Sequence, residues 1–315
     1  MVANMKGIQF ISFAILVLLW QPVMASMFTL PDNGDDVVGE IQYQVVSDKD
    51  TLLDVAREHD VGYSEIAAAN PGVNPWLPKN NYRVVVPSQY VLPPKPWRGI
   101  IVNLPEMRLY YFPPVTSSEK PRVFTMPLSI GRINWRTPTG NFYVKAKIKY
   151  PAWTMPASII AEGGLEDYGN RRVIPPRDEQ NPLGDYAIQL NRPGYLIHGT
   201  NKPFSIGWRV SHGCMRMYPK DIKLLFSLVK DNTPIRIINQ PIKVGRLHNW
   251  LFVETHPVME EDNTKHGVYM TQAIMQLVKR SRGQRIPESA WLQLEANATH
   301  ATGLPTPFFS LDQSK

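Results

Sequence analysis

The chain is poor in cysteine: Cys214 is the single one among 315 residues. One cysteine cannot form an internal disulfide, which excludes the disulfide framework that many exported proteins use. A lone thiol is either a small buried apolar side chain or a reactive group. The residues around Cys214 in the sequence indicate which of these two roles applies.

Long apolar stretches are also scarce. One run, at residues 8–20, follows Lys6 and precedes Val23-Met24-Ala25. A basic residue, a short apolar run and a small-residue cleavage site are typical of a secretory signal peptide. The run is shorter than the ~20 apolar residues of a spanning helix, so an uncleaved anchor is the less favoured alternative. We expect residues 1–25 to be a signal peptide cleaved after Ala25, and the mature chain to be exported.

Strong charge segregation is absent as well, because the net charge of +7 is dispersed along the chain. A positive chain could bind nucleic acid, but export makes an acidic cell wall or membrane surface the better partner. We expect no nucleic acid among the partners.

Cap and turn signals indicate a small α+β unit over residues 40–88. Its predicted elements are a strand, two helices and a strand, at residues 43–46, 51–56, 63–69 and 82–87. Asp50 or Thr51 caps the first helix, and Asn70-Pro71-Gly72 ends the second. This order resembles a LysM domain, a peptidoglycan-binding module. Asn81 stands where that family often has glycine, and asparagine tolerates the same left-handed backbone.

Short strands dominate the chain beyond a proline-rich linker at residues 89–96. The predicted strands are 99–104, 108–112, 122–130, 141–148, 187–190, 195–198 and 234–238. Many short strands with proline and glycine between them favour a β-sandwich or barrel over residues 97–239. One prominent helix interrupts them at residues 218–229, with an apolar face of Ile222, Leu225, Phe226 and Val229. The loop at 153–182 is long enough for a lid.

The last part of the chain, residues 240–315, predicts a strand at 251–254 and helices at 268–280 and 288–297. We interpret it as a small α/β subdomain that packs on the β unit and carries no chemistry of its own. The whole chain is therefore expected to be mainly β.

Two histidines stand near the lone cysteine. His212 lies two residues before Cys214 and His198 lies sixteen residues before it. A thiolate is the reactive form of cysteine, and a nearby imidazole is the usual means of forming one near neutral pH. Gly213 and Ser211 are small, and glycine lets backbone N–H groups approach a developing oxyanion closely. The pattern predicts a cysteine acyl-transfer site.

The motifs His198-Gly199-Thr200 and Ser211-His212-Gly213-Cys214-Met215-Arg216 resemble the YkuD-type L,D-transpeptidase catalytic domain. Other segments are similar to the ErfK/YbiS-like periplasmic branch of that family, at residues 127–132, 137–140, 151–154, 181–184 and 302–305. The resemblance implies that Cys214 is the nucleophile, that His198 is the base and that the Gly199 carbonyl orients the imidazole. Backbone N–H groups near Gly213 and Cys214 would hold the oxyanion. Ser211 and His212 would shape the pocket, and the implied substrate contacts are Arg216, Trp153 and Tyr195.

The reaction implied by this resemblance is a ping-pong acyl transfer in the periplasm. Cys214 attacks the diaminopimelate carbonyl of a peptidoglycan stem tetrapeptide and expels D-alanine, and an amine then takes the thioester. Acceptors in the family are the lysine of a Braun-type lipoprotein, or a second diaminopimelate that gives a 3-3 cross-link. Carbapenems are expected to acylate the cysteine. The alternatives are an L,D-carboxypeptidase that uses water, and a non-catalytic wall-binding protein.

A zinc site of His198, His212 and Cys214 is a competing interpretation, since cysteine and histidine are zinc ligands. The chain has no H-E-x-x-H helix, and His-x-Cys lacks the usual finger spacing. We expect no metal and no cofactor.

Overall fold

The computed structural model describes residues 26–115 and 119–311, and the predicted signal peptide at 1–25 lies outside the described residues. The strands are β1 Ser26–Thr29, β2 Val37–Gly39, β3 Gln42–Val45, β4 Arg83–Val86, β5 Gln89–Val91, β6 Gly99–Asn103, β7 Arg108–Phe112, β8 Arg122–Gly131, β9 Gly140–Lys149, β10 Trp153–Thr154, β11 Val173–Ile174, β12 Tyr186–Leu190, β13 Leu196–His198, β14 Arg209–Ser211, β15 Met215–Met217, β16 Pro234–Ile238, β17 Ile242–Leu247, β18 Trp250–Thr255 and β19 Thr306–Ser310. The α-helices are α1 Leu52–Glu58, α2 Tyr63–Ala69, α3 Ala157–Ala161, α4 Pro219–Leu228, α5 His266–Arg280 and α6 Glu288–His300. Short 3-10 helices lie at Glu166–Tyr168, Pro203–Ser205 and Glu260–Lys265.

The main sheet closes on itself as a barrel. Neighbouring strands follow the order β8-β15-β13-β12-β9-β16-β6-β7, and β7 pairs again with β8. Strands β8 and β9 are ten residues long, and each changes partner along its length. Two long strands that are shared between two sets of neighbours give a barrel with the flattened shape of a sandwich. The prediction of a mainly β fold is confirmed.

The barrel interior is filled by apolar side chains from every strand of the closed sheet. Helix α4 packs against this core: the predicted Ile222 and Leu225 and the following Val229 belong to the core, while Phe226 packs at its edge. Pro219 begins the helix, where its missing N–H and fixed φ are tolerated. The amphipathic face read from the sequence is therefore confirmed.

The unit at residues 40–88 has the predicted order of strand, helix, helix and strand, with β3 paired to β4. Thr51 caps α1, since its Oγ1 accepts a hydrogen bond from the Asp54 N–H at 3.2 Å. Asn70 joins the end of α2 to β4 by hydrogen bonds with the backbone of Val85. Asn81 has a φ of 59°, the left-handed backbone expected there.

A buried ion pair joins this N-terminal unit to the barrel. Arg108 on β7 is 0% exposed, and its Nε and Nη2 donate to both carboxylate oxygens of Glu65 on α2 at 2.7 and 3.0 Å. Its remaining donors reach Thr125 Oγ1 and the Asp60 carbonyl at 3.0 and 3.1 Å. The Tyr90 ring lies 4.3 Å from the guanidinium carbon. The guanidinium is thus bonded through all three nitrogens, as a buried charge requires.

The start of α2 lies against the loop that leads to β14. Tyr63 N donates to the Ile206 carbonyl at 3.0 Å, and Ser64 N donates to the Gly207 carbonyl at 3.3 Å. Gly207 has a φ of 87°, and a Cβ placed there would lie 2.2 Å from Tyr63 N. Only glycine permits both this backbone conformation and this close approach. The N-terminal unit is therefore rigidly docked beside the strand that precedes Cys214.

The segment predicted as a linker is partly a strand. Residues Gln89–Val91 form β5, which pairs with β2, and Val91 and Leu92 are buried. Strand β1, at the beginning of the described chain, adds to the edge of β8. The sequence analysis missed β1, β2 and β5 because each is only three or four residues long, too short to show alternation.

The C-terminal part forms the sheet β17-β18-β19, covered by α5 and α6 around an apolar cluster. Buried Lys243 on β17 connects this sheet to the barrel, because its Nζ lies 2.9 Å from Glu106 and 2.7 Å from Glu254. Glu106, Glu254 and His256 are close enough to share a metal ion. The Lys243 ammonium already supplies the positive charge that these two carboxylates need.

No helix within residues 26–115 and 119–311 has both the length and the apolar character required to cross a membrane.

We expect Arg108→Met to lower the free energy of unfolding by about 3–5 kcal/mol, because Glu65 then keeps a buried charge without its partner. The double variant Glu65→Leu/Arg108→Met should recover much of this loss, since both charges are removed. Urea unfolding followed by tryptophan fluorescence measures the difference.

The control for this experiment is Arg57→Gln, which breaks the exposed ion pair with Asp54 and should cost less than ~1 kcal/mol. A loss no larger than this control in Arg108→Met would mean that the buried pair does not hold the two units together.

Candidate functional site

The site is built on two neighbouring parallel strands. In the pairing of β13 with β15, Ile197 faces Met215 and His198 faces Arg216. Ile197 and Met215 are fully buried in the barrel core. Because side chains alternate along a strand, His198, Cys214 and Arg216 project from the opposite, outer face. The predicted base, nucleophile and arginine therefore share one surface.

His198 is buried, and its Nδ1 lies 2.7 Å from the Gly199 carbonyl oxygen. A carbonyl can only accept, so Nδ1 carries the proton and Nε2 is left as the acceptor nitrogen. Burial, followed by the nearby Arg216 charge, lowers the pKa of His198 to about 3, against the opposing carbonyls of Gly199 and Leu183. The imidazole is neutral at physiological pH and able to take up a proton through Nε2.

Cys214 is partly exposed, and its Sγ lies 3.4 Å from the Gly194 carbonyl oxygen. Burial raises the pKa of the thiol above its ordinary value, although the Leu196 N–H and the Arg216 charge favour the thiolate. The resting pair is a thiol and a neutral imidazole rather than a thiolate and an imidazolium ion. The thiol must then lose its proton during nucleophilic attack.

A tight turn presents Cys214. Ser211 Oγ donates to the Cys214 carbonyl and accepts from Gly213 N at 3.1 Å. Gly213 has a φ of 101°, and a Cβ there would lie 2.9 Å from the Tyr195 ring. Thr137 Oγ1 donates to the Gly213 carbonyl at 2.9 Å. Ser211, Gly213 and Tyr195 thus hold the turn in shape.

The two backbone N–H groups predicted to hold the oxyanion differ in their hydrogen bonding. Gly213 N–H is engaged by Ser211. Within residues 26–115 and 119–311, the Cys214 N–H has no hydrogen-bond acceptor. Cys214 N–H is therefore the donor that remains open to a substrate oxygen.

Arg216 lies on the same face as Cys214 and is half-buried. Its Nε is buried without a hydrogen-bond partner, and no carboxylate of the described chain forms an ion pair with it. The Tyr168 hydroxyl is close enough to interact with its charge. A guanidinium with a free nitrogen beside the thiol is suited to bind a carboxylate.

The loop at 153–182, which we name the lid after its predicted role, is folded around its own small core. Strands β10 and β11 pair within it, and an apolar cluster includes Trp153, Ile174 and Leu183. The Trp153 ring is 8% exposed and lies 4.9 Å from the Tyr168 ring. Trp153 therefore lies inside the lid rather than on an open surface, and its expected contact with substrate stays a prediction.

His212 faces the lid. Its Nε2 lies 3.1 Å from Glu162 Oε2 and 2.7 Å from Arg132 Nη2, and its ring packs on Trp135 with centroids 5.1 Å apart. Glu162 also accepts from Trp135 Nε1 at 3.0 Å and pairs with Arg132. These contacts, with Arg132 first, lower the pKa of Glu162 to about 2. The sequence analysis missed Glu162 and Trp135, which belong to no motif.

The zinc interpretation requires His198, His212 and Cys214 to meet at one point. In the described part of the chain the group found to converge as possible metal ligands is Glu106, Glu254 and His256, not these three. His212 is directed to Glu162 instead.

Comparison with known proteins finds relatives along most of the chain. Residues 98–237 match the YkuD family, the L,D-transpeptidase catalytic domain. The probable L,D-transpeptidase YcfS of Escherichia coli K12 is 39% identical over 262 residues, which cover 81% of this chain and 80% of that protein. The probable L,D-transpeptidase YbiS of the same strain is 38% identical over 223 residues, covering 70% and 71%.

A solved L,D-transpeptidase from Mycobacterium tuberculosis H37Rv covers 52% of this chain and 71% of its own, at 19% identity and a TM-score of 0.32. This likeness is too low to add to the assignment, which rests on the sequence relatives. The chain belongs to the L,D-transpeptidase family and is an enzyme of that type.

Proposed function

We propose that the protein is a periplasmic L,D-transpeptidase that acts on peptidoglycan stem peptides through a thioester at Cys214. The observation that carries the proposal is the placement of His198, Cys214 and Arg216 on one face of β13 and β15. The hydrogen bond from His198 Nδ1 to Gly199 supports it further, because it leaves Nε2 free to act as the base. The signal-peptide pattern at residues 1–25 supports the location.

In the first half-reaction, Cys214 Sγ attacks the diaminopimelate carbonyl carbon while the thiol proton passes to His198 Nε2. The Cys214 N–H donates to the developing oxyanion, a contact that typically lowers a barrier by ~3–4 kcal/mol. The intermediate collapses, the bond to D-alanine breaks, and Nε2 returns its proton to the leaving amine. The enzyme is left as a thioester.

In the second half-reaction, an acceptor amine attacks the thioester carbonyl and gives its proton to His198 Nε2. The carbon–sulfur bond then breaks, and Cys214 recovers the proton. A thioester keeps enough acylating power for this step, so no nucleotide is consumed. The acceptors that we propose are a lipoprotein lysine, a second diaminopimelate, or both.

Arg216 provides the first contact for a substrate carboxylate, since its Nε is buried and unpartnered beside Cys214. Tyr195 covers the turn at Gly213 and forms the adjoining wall of the substrate site.

We infer that the N-terminal unit is a LysM module that binds glycan. Its docking against Ile206 and Gly207 would then keep a bound strand at a fixed distance from the nucleophile.

We expect wild-type protein to gain one meropenem mass and Cys214→Ala to gain none, because the carbapenem acylates the sulfur. His198→Ala should slow the modification by roughly 10²–10⁴-fold, the usual contribution of a general base. Intact-protein mass spectrometry measures both. An adduct that persists in Cys214→Ala, or a wild-type protein without one, would favour the wall-binding alternative.

The neutral thiol–imidazole pair predicts two different pH profiles. Iodoacetamide reacts with thiolate, so its rate should keep rising through pH 8 and 9, because burial raises the pKa of Cys214. Meropenem acylation should be flat from about pH 5 to 8, because the His198 pKa of about 3 keeps the base neutral there. Free cysteine in the same buffers is the control. An iodoacetamide rate that levels off by pH 7 would show a preformed thiolate.

The acceptor is identified by muropeptide analysis of a deletion strain carrying either wild-type protein or Cys214→Ala. We expect wild type alone to restore lipoprotein-linked stems or 3-3 dimers, since both need an amine at the thioester. Restoration of tripeptides alone would favour the carboxypeptidase. Identical profiles for the two plasmids would contradict any acyl transfer at Cys214.

A further inference from the structure

We propose that Arg132, His212 and Trp135 form a second carboxylate subsite beside Cys214, and that Glu162 of the lid occupies it until substrate replaces it. This inference rests on the proposed function, because the stem peptide is the ligand that brings the carboxylate. Two donors converge on one carboxylate of the lid: the Arg132 guanidinium and the Trp135 indole N–H. His212 Nε2 lies 3.1 Å from the same carboxylate and 2.7 Å from Arg132 Nη2. Because a guanidinium can only donate, the imidazole accepts from the arginine and helps to hold it in place.

The Arg132–Glu162 ion pair is too exposed to contribute much to the stability of the fold. The side chains of Arg132 and Glu162 are 40% and 41% exposed, and exposed pairs contribute only ~0–1 kcal/mol to stability. Arg132 Nε is nevertheless buried and has no hydrogen-bond partner within the described chain. The arginine therefore keeps an unused donor, and a free carboxylate could bind it in a two-pronged geometry.

The subsite is built into the same turn as the nucleophile. Arg132 N donates to the Ser211 carbonyl at 3.0 Å, and the neighbouring Gly131 pairs with Ser211. A Cβ on Gly131 would come within 3.0 Å of Gly213 Cα. The Arg132 backbone is therefore held directly against the Ser211–Cys214 turn, and His212 belongs to that turn.

A stem tetrapeptide carries several carboxylates, at the diaminopimelate side chain, at the γ-linked glutamate and at the terminal D-alanine. Arg216 beneath the thiol can hold one of them, and the subsite on the rim can hold another. Two anchors on either side of the scissile carbonyl would fix its approach to Cys214. Entry of the second carboxylate would displace Glu162 and so release the lid.

Calorimetric titration of the stem tetrapeptide tests this in a Cys214→Ala background, where no turnover occurs. Glu162→Gln removes the internal competitor and should lower Kd about tenfold, while Arg132→Gln removes a charged donor and should raise Kd about tenfold. Glu166→Gln, elsewhere in the same lid, is the matched control and should leave Kd unchanged. A tetrapeptide with amidated carboxyl groups should lose both differences.

The opposite directions of the two changes in Kd distinguish a carboxylate subsite from a simple latch, meaning an ion pair that only holds the lid in place. Both substitutions break the same ion pair, so a latch alone would shift Kd in one direction for both variants and for the amidated peptide. That result, or no measurable binding in any variant, would overturn the subsite. Failure of the proposed function is seen separately, as the lack of a meropenem adduct on protein that retains Cys214.

Discussion

The architecture depends on the buried ion pair of Arg108 and Glu65. Each charge is compensated inside the protein by the other, so the loss of either partner would leave an unpaired charge buried where the two units meet. Lys243 makes an equivalent connection between the barrel and the C-terminal sheet. Three units with separate apolar cores are thereby held as one body. The loop before β14 is fixed from outside by Tyr63, and this loop leads to the turn that carries Cys214.

Burial also sets the chemistry of the site. His198 is buried and Cys214 partly so, and this burial disfavours charge on both and keeps the resting thiol protonated. An uncharged thiol is protected from adventitious oxidation and alkylation, since the thiolate is the reactive form. The same burial makes each fixed dipole near the thiol more effective, because water does not screen it. Low resting reactivity of the thiol is then compatible with the acyl transfer that we propose.

Much of the fold could be predicted from local pattern, and the site from its motifs. Strands β6 to β9 are runs of β-branched and aromatic residues, the apolar face of α4 is periodic, and His198 and Cys214 stand in specific motifs. Strand β15 was missed because it has three residues with Arg216 in the middle, so alternation has no length to appear in. Glu162 was missed for another reason: its partners Arg132 and His212 are 30 and 50 residues away in sequence. Only tertiary structure brings such residues together.

The alternation along β15 imposes a rule on chain length. Met215 enters the barrel core and Cys214, the residue before it, lies on the opposite face, so their roles depend on odd and even position. A one-residue slip of β15 against β13, of the kind that a residue lost or gained between β14 and β15 can cause, would turn the sulfur of Cys214 inward and expose the Met215 thioether in its place. Change in this connection is therefore compatible with the site only in steps that preserve parity, or where a bulge absorbs the extra residue.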